Sequence, residues 1–188
     1  MKHIEIEMKY NASVISPDAF NYFCNMKEPM SFAGFSGYDT FYSHPVDTES
    51  FFRYREREGE AELTFKRKLS KSDSIIRIEH NLHLLYPSHD KCEGFVFDMG
   101  YVRNSVIFKT ALVYDFETYC VCYYICYNTN MEELGRFVEI ELHEDLEWGS
   151  EDEALASLNQ IEQQYHNLGL TPLNRLKTSL FEMFRIRS

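Results

Sequence analysis

The sequence predicts an α+β fold in which an antiparallel β-sheet or barrel is packed on its outside by helices. Polar and apolar residues alternate strictly over many short stretches, which is the period of a β-strand. These stretches follow one another at close spacing, as antiparallel strands do. Helical signals are confined to a few segments, most of them near the C-terminal end.

The alternating stretches define the predicted strands. In HIEIEMKY, residues 3–10, charged side chains fall on one face of a strand and apolar side chains on the other. The same alternation predicts further strands at 51–57, 61–69, 74–86, 102–114, 118–128 and 136–143.

The helices are predicted from their end signals. Ser16 and Pro17 suit the start of a first helix, and Ser150 with Glu153 forms a capping box for a third. Gly169 would end that third helix. The four predicted helices cover about 17–26, 89–99, 150–168 and 171–184, with boundary errors of about 2–4 residues.

Composition limits the function classes. A chain of 188 residues is expected to form one domain, 1–188, and its 44% hydrophobic content is that of a globular protein. The formal net charge of −11 argues against binding nucleic acid or an anionic membrane through bulk charge. No apolar run approaches the roughly 20 residues of a membrane helix, and the charged start does not resemble a signal peptide.

The cysteines indicate the compartment. Five cysteines at irregular spacing are typical of reduced thiols, so a cytoplasmic location is expected. Cys120, Cys122 and Cys126 share one face of a strand, but buried thiols explain them better than a soft-metal site does.

The charged faces of the strands carry the functional signal. A single half-buried strand with a charged face is ordinary, because that face can meet water. Here the charges are segregated by strand: Arg53, Arg55 and Arg57 share one face, whereas Glu139 and Glu141 share another. Like charges at alternate positions of a strand repel one another unless counter-ions neutralise them. A barrel with all such faces inward would hold about eight cations and about five carboxylates, which suits a polyanion with divalent metal ions.

That set of residues has a chemical interpretation. Guanidinium and ammonium groups bind phosphate oxygens. Carboxylates such as Glu5, Glu7, Glu139 and Glu141 are hard oxygen ligands that suit Mg²⁺ or Mn²⁺. The histidines nearest to these faces, His80, His83 and His143, are better explained as polar strand residues than as catalysts.

The same residues resemble a known family, the CYTH proteins or triphosphate tunnel metalloenzymes. Glu5-x-Glu7-x-Lys9 is similar to their ExExK motif, and further matching stretches follow in the family's order over essentially the whole chain. The matching stretches are YDTFY (38–42), FRYR (52–55), LTFK (63–66), RIE (77–79), Lys109, LGRFVEIE (134–141) and the terminal NRLKTSLFEMF (174–184).

The resemblance implies an eight-stranded antiparallel barrel whose tunnel binds a small-molecule triphosphate with Mg²⁺ or Mn²⁺. It implies that the phosphates are bound by Lys9, Arg53, Arg55, Lys66, Arg77 and Lys109. Lys68 is added as a substrate-binding candidate by strand parity. It implies catalytic or water-orienting roles for Glu5, Glu7 and Glu79. The expected metal ligands are Glu5, Glu7, Glu139, Glu141 and Asn128.

Two departures from the family pattern stand out. The family usually has an arginine where this chain has Ala111. An acidic metal ligand is expected on the strand before the final ExE, and YNTN offers Asn128 or Asn130 as the nearest candidate. An amide oxygen is a weaker ligand for a divalent ion than a carboxylate.

Three functions follow from the resemblance. The first is metal-dependent hydrolysis of tripolyphosphate, a nucleoside triphosphate or thiamine triphosphate. The second is a class IV adenylyl cyclase, although those relatives usually show Gly-Pro where this chain has Arg67-Lys68, and tend to lose the carboxylate that Glu141 retains. The third is a polyphosphate or nucleotide binder without turnover. The oligomeric state stays open, with a homodimer as one arrangement.

Overall fold

The computed structural model describes residues 4–69, 76–86, 88–143, 146 and 148–185. The first residue of the predicted strand 3–10 and the first two of 74–86 lie outside this part. The described strands are β1 Ile4–Asn11, β2 Ser31–Ser43, β3 Ser50–Arg57, β4 Glu60–Lys68, β5 Ile76–Leu84, β6 Val102–Asp115, β7 Tyr119–Tyr127, β8 Glu133–Leu142 and the two-residue β9 Arg175–Leu176.

The first eight strands form a closed antiparallel barrel, which confirms the predicted fold. Their order is β5-β4-β3-β2-β6-β7-β8-β1, and β1 then pairs with β5 to close the ring. β1 makes this closure with its first residues, where Glu5 lies opposite Arg77. Its later residues pair with β8 on one side and with β9 on the other.

The helices pack on the outside, as predicted. They are α1 Pro17–Asn25, α2 His89–Asp98, α3 Glu151–Gln163 and α4 Leu180–Phe184. The outward side chains of β1, β7 and β8 form one core with Phe20 of α1 and Leu158 of α3. The outward side chains of β3 and β4 form another core around Val96 of α2. None of the helices described is long and apolar enough to cross a membrane.

Two elements differ from the sequence-based prediction. β2 runs for 13 residues, although only YDTFY at 38–42 was recognised as strand-leading, because its Gly and Ser residues hide the alternation. The C-terminal part is less helical than expected. α3 ends at Gln163, two 3₁₀ turns follow at His166–Leu168 and Pro172–Asn174, and α4 has only five residues.

Strand alternation sets the inside and the outside of the barrel. Because apolar residues at every second position pack on the helices, the intervening charged residues point inward. On β1, for example, Tyr10 lies in the outer core, whereas the neighbouring Lys9 faces the interior. The charged face of HIEIEMKY therefore faces the interior of the barrel.

Replacing Gly37 of β2 by alanine is expected to destabilise the barrel by about 1–3 kcal/mol, because the site has no space for a methyl group. A Cβ atom there would overlap the carbonyl oxygen of Glu56 and lie 2.9 Å from the Cβ of Arg57 on β3. Urea unfolding measures the change. Gly94→Ala is the matched control, because a Cβ at Gly94 in α2 has no atom within 4 Å. That variant should be up to about 1 kcal/mol more stable. Equal unfolding midpoints for Gly37→Ala and the wild type would contradict the close packing of β2 on β3.

Candidate functional site

The interior of the barrel contains a charged cavity of about 290 Å³. Among the described residues, seven cationic and seven acidic side chains line it. The cations are Lys9, Arg53, Arg55, Arg57, Lys66, Arg77 and Lys109. The acids are Glu5, Glu7, Asp39, Glu62, Glu79, Glu139 and Glu141. The cavity is thus balanced in formal charge, whereas the sequence predicted an excess of cations.

Three carboxylates cluster on adjacent strands of this cavity. β1 contributes Glu5 and Glu7, and β8 contributes Glu141, which lies directly opposite Glu7. One oxygen from each lies within 4.8 Å of the others. Burial raises the pKa of Glu141 well above its ordinary value, and the negative charges of Glu5 and Glu7 raise it further. Burial also raises the pKa of Glu7, with Glu5 as the next cause. The three carboxylates therefore repel one another, and a bound cation would stabilise their ionised forms.

The cluster fits a divalent metal ion. Its donors are all carboxylate oxygens, the type that Mg²⁺ and Mn²⁺ prefer. Oε2 of Glu5 is buried and receives no hydrogen bond from the described residues. Nη1 of Arg77 lies 3.7 Å from this oxygen. A buried carboxylate oxygen without a donor is costly unless a ligand completes it.

The cations next to the cluster are paired with carboxylates. Nζ of Lys66 lies 2.5 Å from Glu5 and 2.6 Å from Glu79. Burial opposes the charge of Lys66, but these two carboxylates outweigh it and raise the pKa of Lys66. Arg77 donates to Glu7 at 2.9 Å. Both cations stay charged at neutral pH inside the barrel.

A second group of pairs lies on β2, β3 and β4. Arg55 donates two hydrogen bonds to Asp39, at 2.7 and 2.9 Å. Arg53 donates to Glu62 at 3.0 Å, and its nitrogen lies 3.9 Å from Glu79. The guanidinium groups are thereby held in fixed orientations in the cavity wall.

The structure brings together all but two of the predicted site residues. Glu5, Glu7, Glu79, Glu139, Glu141 and the cations Lys9, Arg53, Arg55, Lys66, Arg77 and Lys109 all line the cavity. Lys68 instead pairs with Glu182 of α4 at 2.5 Å and is not among the lining residues.

Asn128 is the other predicted residue that is not brought to the cavity. It follows the last residue of β7, in the turn toward β8. Its side-chain oxygen accepts from the backbone N–H groups of Asn130 and Glu132, and its amide donates to the Glu132 carboxylate. The side chain thus holds the turn, and the structure does not bring it to the carboxylate cluster of the cavity. Cys120 and Cys122 are the lining residues of β7, and they pair in register with Glu141 and Glu139.

Sequence reasoning missed Asp39 as a site residue. It lies in YDTFY, but the strand was not extended far enough for its inward direction to be read. In the structure Asp39 is only 1% exposed and pairs in register with Arg55. An acidic residue on a strand that pairs with an arginine-rich strand is a candidate partner for those arginines, and this signal could have identified Asp39.

Aromatic side chains also line the cavity. The guanidinium carbon of Arg57 lies 4.4 Å from the ring centroid of Phe35. Phe181 of α4 stacks on Phe51, with centroids 4.7 Å apart. The short helix α4 therefore forms part of the cavity wall.

All five cysteines are free in the structure. The three histidines considered earlier do not line the cavity, since His83 is exposed and His143 bonds to Asp115 at 2.8 Å. The cytoplasmic location and the homodimer remain predictions.

Replacing Asp39 by asparagine should lower the free energy of unfolding at pH 7 by about 2 kcal/mol, because Arg55 loses its buried counter-ion. Burial opposes ionisation, but the Arg55 guanidinium holds the pKa of Asp39 well below its ordinary value. The pair therefore stabilises the wild type fully above the unfolded-state pKa of about 4, and this stabilisation is lost as the pH falls below that.

Urea unfolding of both proteins at pH 7 and pH 3 measures this effect. The difference in free energy of unfolding between the wild type and Asp39→Asn should be smaller at pH 3 than at pH 7. A difference that is the same at both pH values would show that the ion pair is not its cause.

Comparison with known proteins supports the fold. No protein-family model and no curated protein matches the chain. The PH1012 protein from Pyrococcus horikoshii OT3 matches with a TM-score of 0.77 and 16% identity, over 96% of this chain and 99% of that chain. A proposed adenylate cyclase from Vibrio parahaemolyticus matches with a TM-score of 0.70 and 17% identity, over 97% and 98%.

A third match comes from a large assembly. A chain of the Schizosaccharomyces pombe Mediator head module matches with a TM-score of 0.62 and 14% identity, over 87% of this chain and 95% of that chain. These matches confirm the predicted fold, an antiparallel barrel with helices outside. Because proteins with such different names share this fold, the function of this chain has to be argued from its site.

Proposed function

We propose that this protein hydrolyses a triphosphate inside its barrel with the help of divalent metal ions. The observation that carries the proposal is the cavity wall, where ion-paired cations surround the carboxylate cluster of Glu5, Glu7 and Glu141. A charged interior is costly to maintain dry. It suits a ligand that itself combines negative oxygens with positive metal ions.

The carboxylates would hold the metal. Glu5, Glu7 and Glu141 would be its ligands, and Glu139 on the same strand as Glu141 would complete the set. When bound, Mg²⁺ or Mn²⁺ would neutralise charge on the phosphate oxygens and lower the pKa of a bound water molecule.

The cations would hold the phosphates. Arg53 and Arg55 offer guanidinium forks that match phosphate oxygens in pairs, and Lys66, Arg77, Lys9 and Lys109 add further positive charge along the wall. Each is already oriented by a carboxylate or a ring, so little side-chain entropy is lost when the substrate binds.

The reaction would be an in-line displacement. A water oxygen attacks the terminal phosphorus, the bond from that phosphorus to the bridging oxygen breaks, and diphosphate leaves with the bonding electrons. The water proton is released to a carboxylate and then to solvent. Glu79, held by Lys66 at 2.6 Å, would orient the attacking water.

Cyclisation of ATP is the second candidate, because a proposed adenylate cyclase shares the fold over nearly its whole length. Glu141 and the Arg67-Lys68 pair favour hydrolysis. Lys68 is engaged by Glu182 of α4. Hydrolysis is therefore the function that the residues support better.

One assay separates these functions. The protein is incubated with Mg²⁺ or Mn²⁺ and tripolyphosphate, ATP or thiamine triphosphate, while phosphate and cyclic AMP are measured together. Phosphate release that EDTA abolishes is the expected result. Cyclic AMP with diphosphate would assign the protein to the cyclases instead. Tight binding of tripolyphosphate with neither product would make it a binder and refute hydrolysis.

A further inference from the structure

Tyr124 of β7 is buried behind a carboxylate that lines the cavity, Glu139, and donates a hydrogen bond to it, yet neither the motifs nor the proposed mechanism gives it a role. We propose that Tyr124 is a positioning residue that fixes the orientation of Glu139 for metal binding. This inference rests on the proposed function, since it assigns Glu139 to the metal.

The contacts of Glu139 are directional. The Tyr124 hydroxyl donates to Oε1 of Glu139 at 2.7 Å, and Nζ of Lys9 lies 3.0 Å from the same oxygen. The Glu139 side chain is still 16% exposed toward the cavity. Two donors on one oxygen fix the plane of the carboxylate, so its second oxygen would be the one that meets a metal ion. Hydrogen bonds of this kind to a metal ligand set its orientation and basicity.

The ring of Tyr124 has space because of its neighbour on β6. Ala111 lies directly opposite Tyr124 in the strand register. Nζ of Lys109 lies 3.6 Å from the ring centroid, a cation–π contact on the cavity side. A larger residue at 111 would compete for this volume, since directly opposed side chains have Cβ atoms about 5 Å apart.

Tyr124 is fully buried, and its ring packs against Phe137 with centroids 5.5 Å apart. Burial, followed by the charge of Glu139, raises the pKa of Tyr124 well above its ordinary value. In the contact with Oε1 of Glu139 the tyrosine hydroxyl is the donor and the carboxylate is the acceptor.

Tyr124→Phe tests the inference, because it removes the hydroxyl and keeps the ring over which Lys109 lies. Tyr123→Phe is the matched control. Tyr123 is the next residue on the same strand, but its hydroxyl donates to the backbone oxygen of Ile15 outside the barrel. Binding of Mn²⁺ to each full-length variant is measured by electron paramagnetic resonance, and phosphate release from tripolyphosphate is followed as Mn²⁺ is raised.

Tyr124→Phe should weaken Mn²⁺ binding by about 10- to 100-fold, the usual effect of losing a hydrogen bond to a metal ligand. Tyr123→Phe should bind as the wild type does. Saturating Mn²⁺ should restore most of the turnover of Tyr124→Phe, which would not happen if the hydroxyl served only to stabilise the fold.

Glu139→Gln separates failure of this inference from failure of the proposed function. If Glu139→Gln loses Mn²⁺ while Tyr124→Phe binds it within twofold of the wild type, the positioning role of Tyr124 is wrong and the metal site stands. If Glu139→Gln binds Mn²⁺ as the wild type does, Glu139 is not a ligand, and both the metal assignment and the inference are overturned.

Discussion

Replacing Glu5 by glutamine is expected to lower turnover of a triphosphate by about a thousandfold, or about 4 kcal/mol of transition-state stabilisation. Glutamine keeps the shape of the side chain and an oxygen that Lys66 can still reach. It removes the negative charge from the cluster of Glu5, Glu7 and Glu141, where three carboxylates approach within 4.8 Å. The measurement is kcat for phosphate release at several Mn²⁺ concentrations.

The same substitution should leave the fold intact. Without metal, Glu5 is repelled by its two neighbours, and the loss of that repulsion offsets the weaker bond to Lys66. The melting temperature in EDTA should therefore change little, whereas stabilisation by added Mn²⁺ should disappear. Glu133→Gln is the control, because Glu133 lies on β8 with Glu141 but is exposed and pairs with Arg136. Wild-type turnover by Glu5→Gln would refute the metal assignment.

Removing divalent metal is expected to weaken tripolyphosphate binding by about 10- to 100-fold, besides stopping turnover. Five of the seven lining cations, namely Lys9, Arg53, Arg55, Lys66 and Arg77, are ion-paired with lining carboxylates. A polyanion that enters alone must compete with those carboxylates in a cavity of balanced charge. Metal bound to the carboxylates would free part of this positive charge for the phosphates, so the two ligands should bind cooperatively.

Calorimetry with and without EDTA measures this coupling. The enhancement by Mn²⁺ should be lost in Glu5→Gln and kept in Glu133→Gln. By reciprocity, tripolyphosphate should raise the affinity for Mn²⁺ by the same factor. Equal tripolyphosphate affinity with and without metal would contradict the idea that the carboxylates hold the cations in the metal-free protein.

Much of the barrel could be predicted because successive side chains of a strand point to opposite faces, so that alternate residues share one face. HIEIEMKY shows this, since its alternation indicated a charged interior face before any pairing was known. The register then followed from the fold, and it placed Glu7 opposite Glu141 and Lys9 opposite Glu139.

Other features depended on information that local patterns do not hold. β2 was underestimated because its glycines and serines obscure the alternation, and Asp39 was missed as a result. Asn128 has the right residue type, but whether a residue near a strand end lies in the barrel wall or in the following turn depends on hairpin geometry. The short α4 is set by packing against Phe51 and Phe41 rather than by helical periodicity.

Ala111, where the CYTH pattern usually has an arginine, lies opposite Tyr124 in the structure. The space opposite this small residue is taken by Tyr124, whose hydroxyl and ring contact Glu139 and Lys109. A single sequence does not show which residue across the sheet fills the volume that a smaller side chain leaves.

The central claim is that the barrel interior binds a triphosphate and divalent metal together. Anomalous diffraction from crystals grown with Mn²⁺ and tripolyphosphate tests it most directly. We expect a manganese peak within about 2.5 Å of oxygens from Glu5, Glu7 and Glu141, with phosphate density against Arg53, Arg55 and Lys66. Manganese and tripolyphosphate found only outside the barrel, with the ion pairs of the cavity unchanged, would contradict the claim.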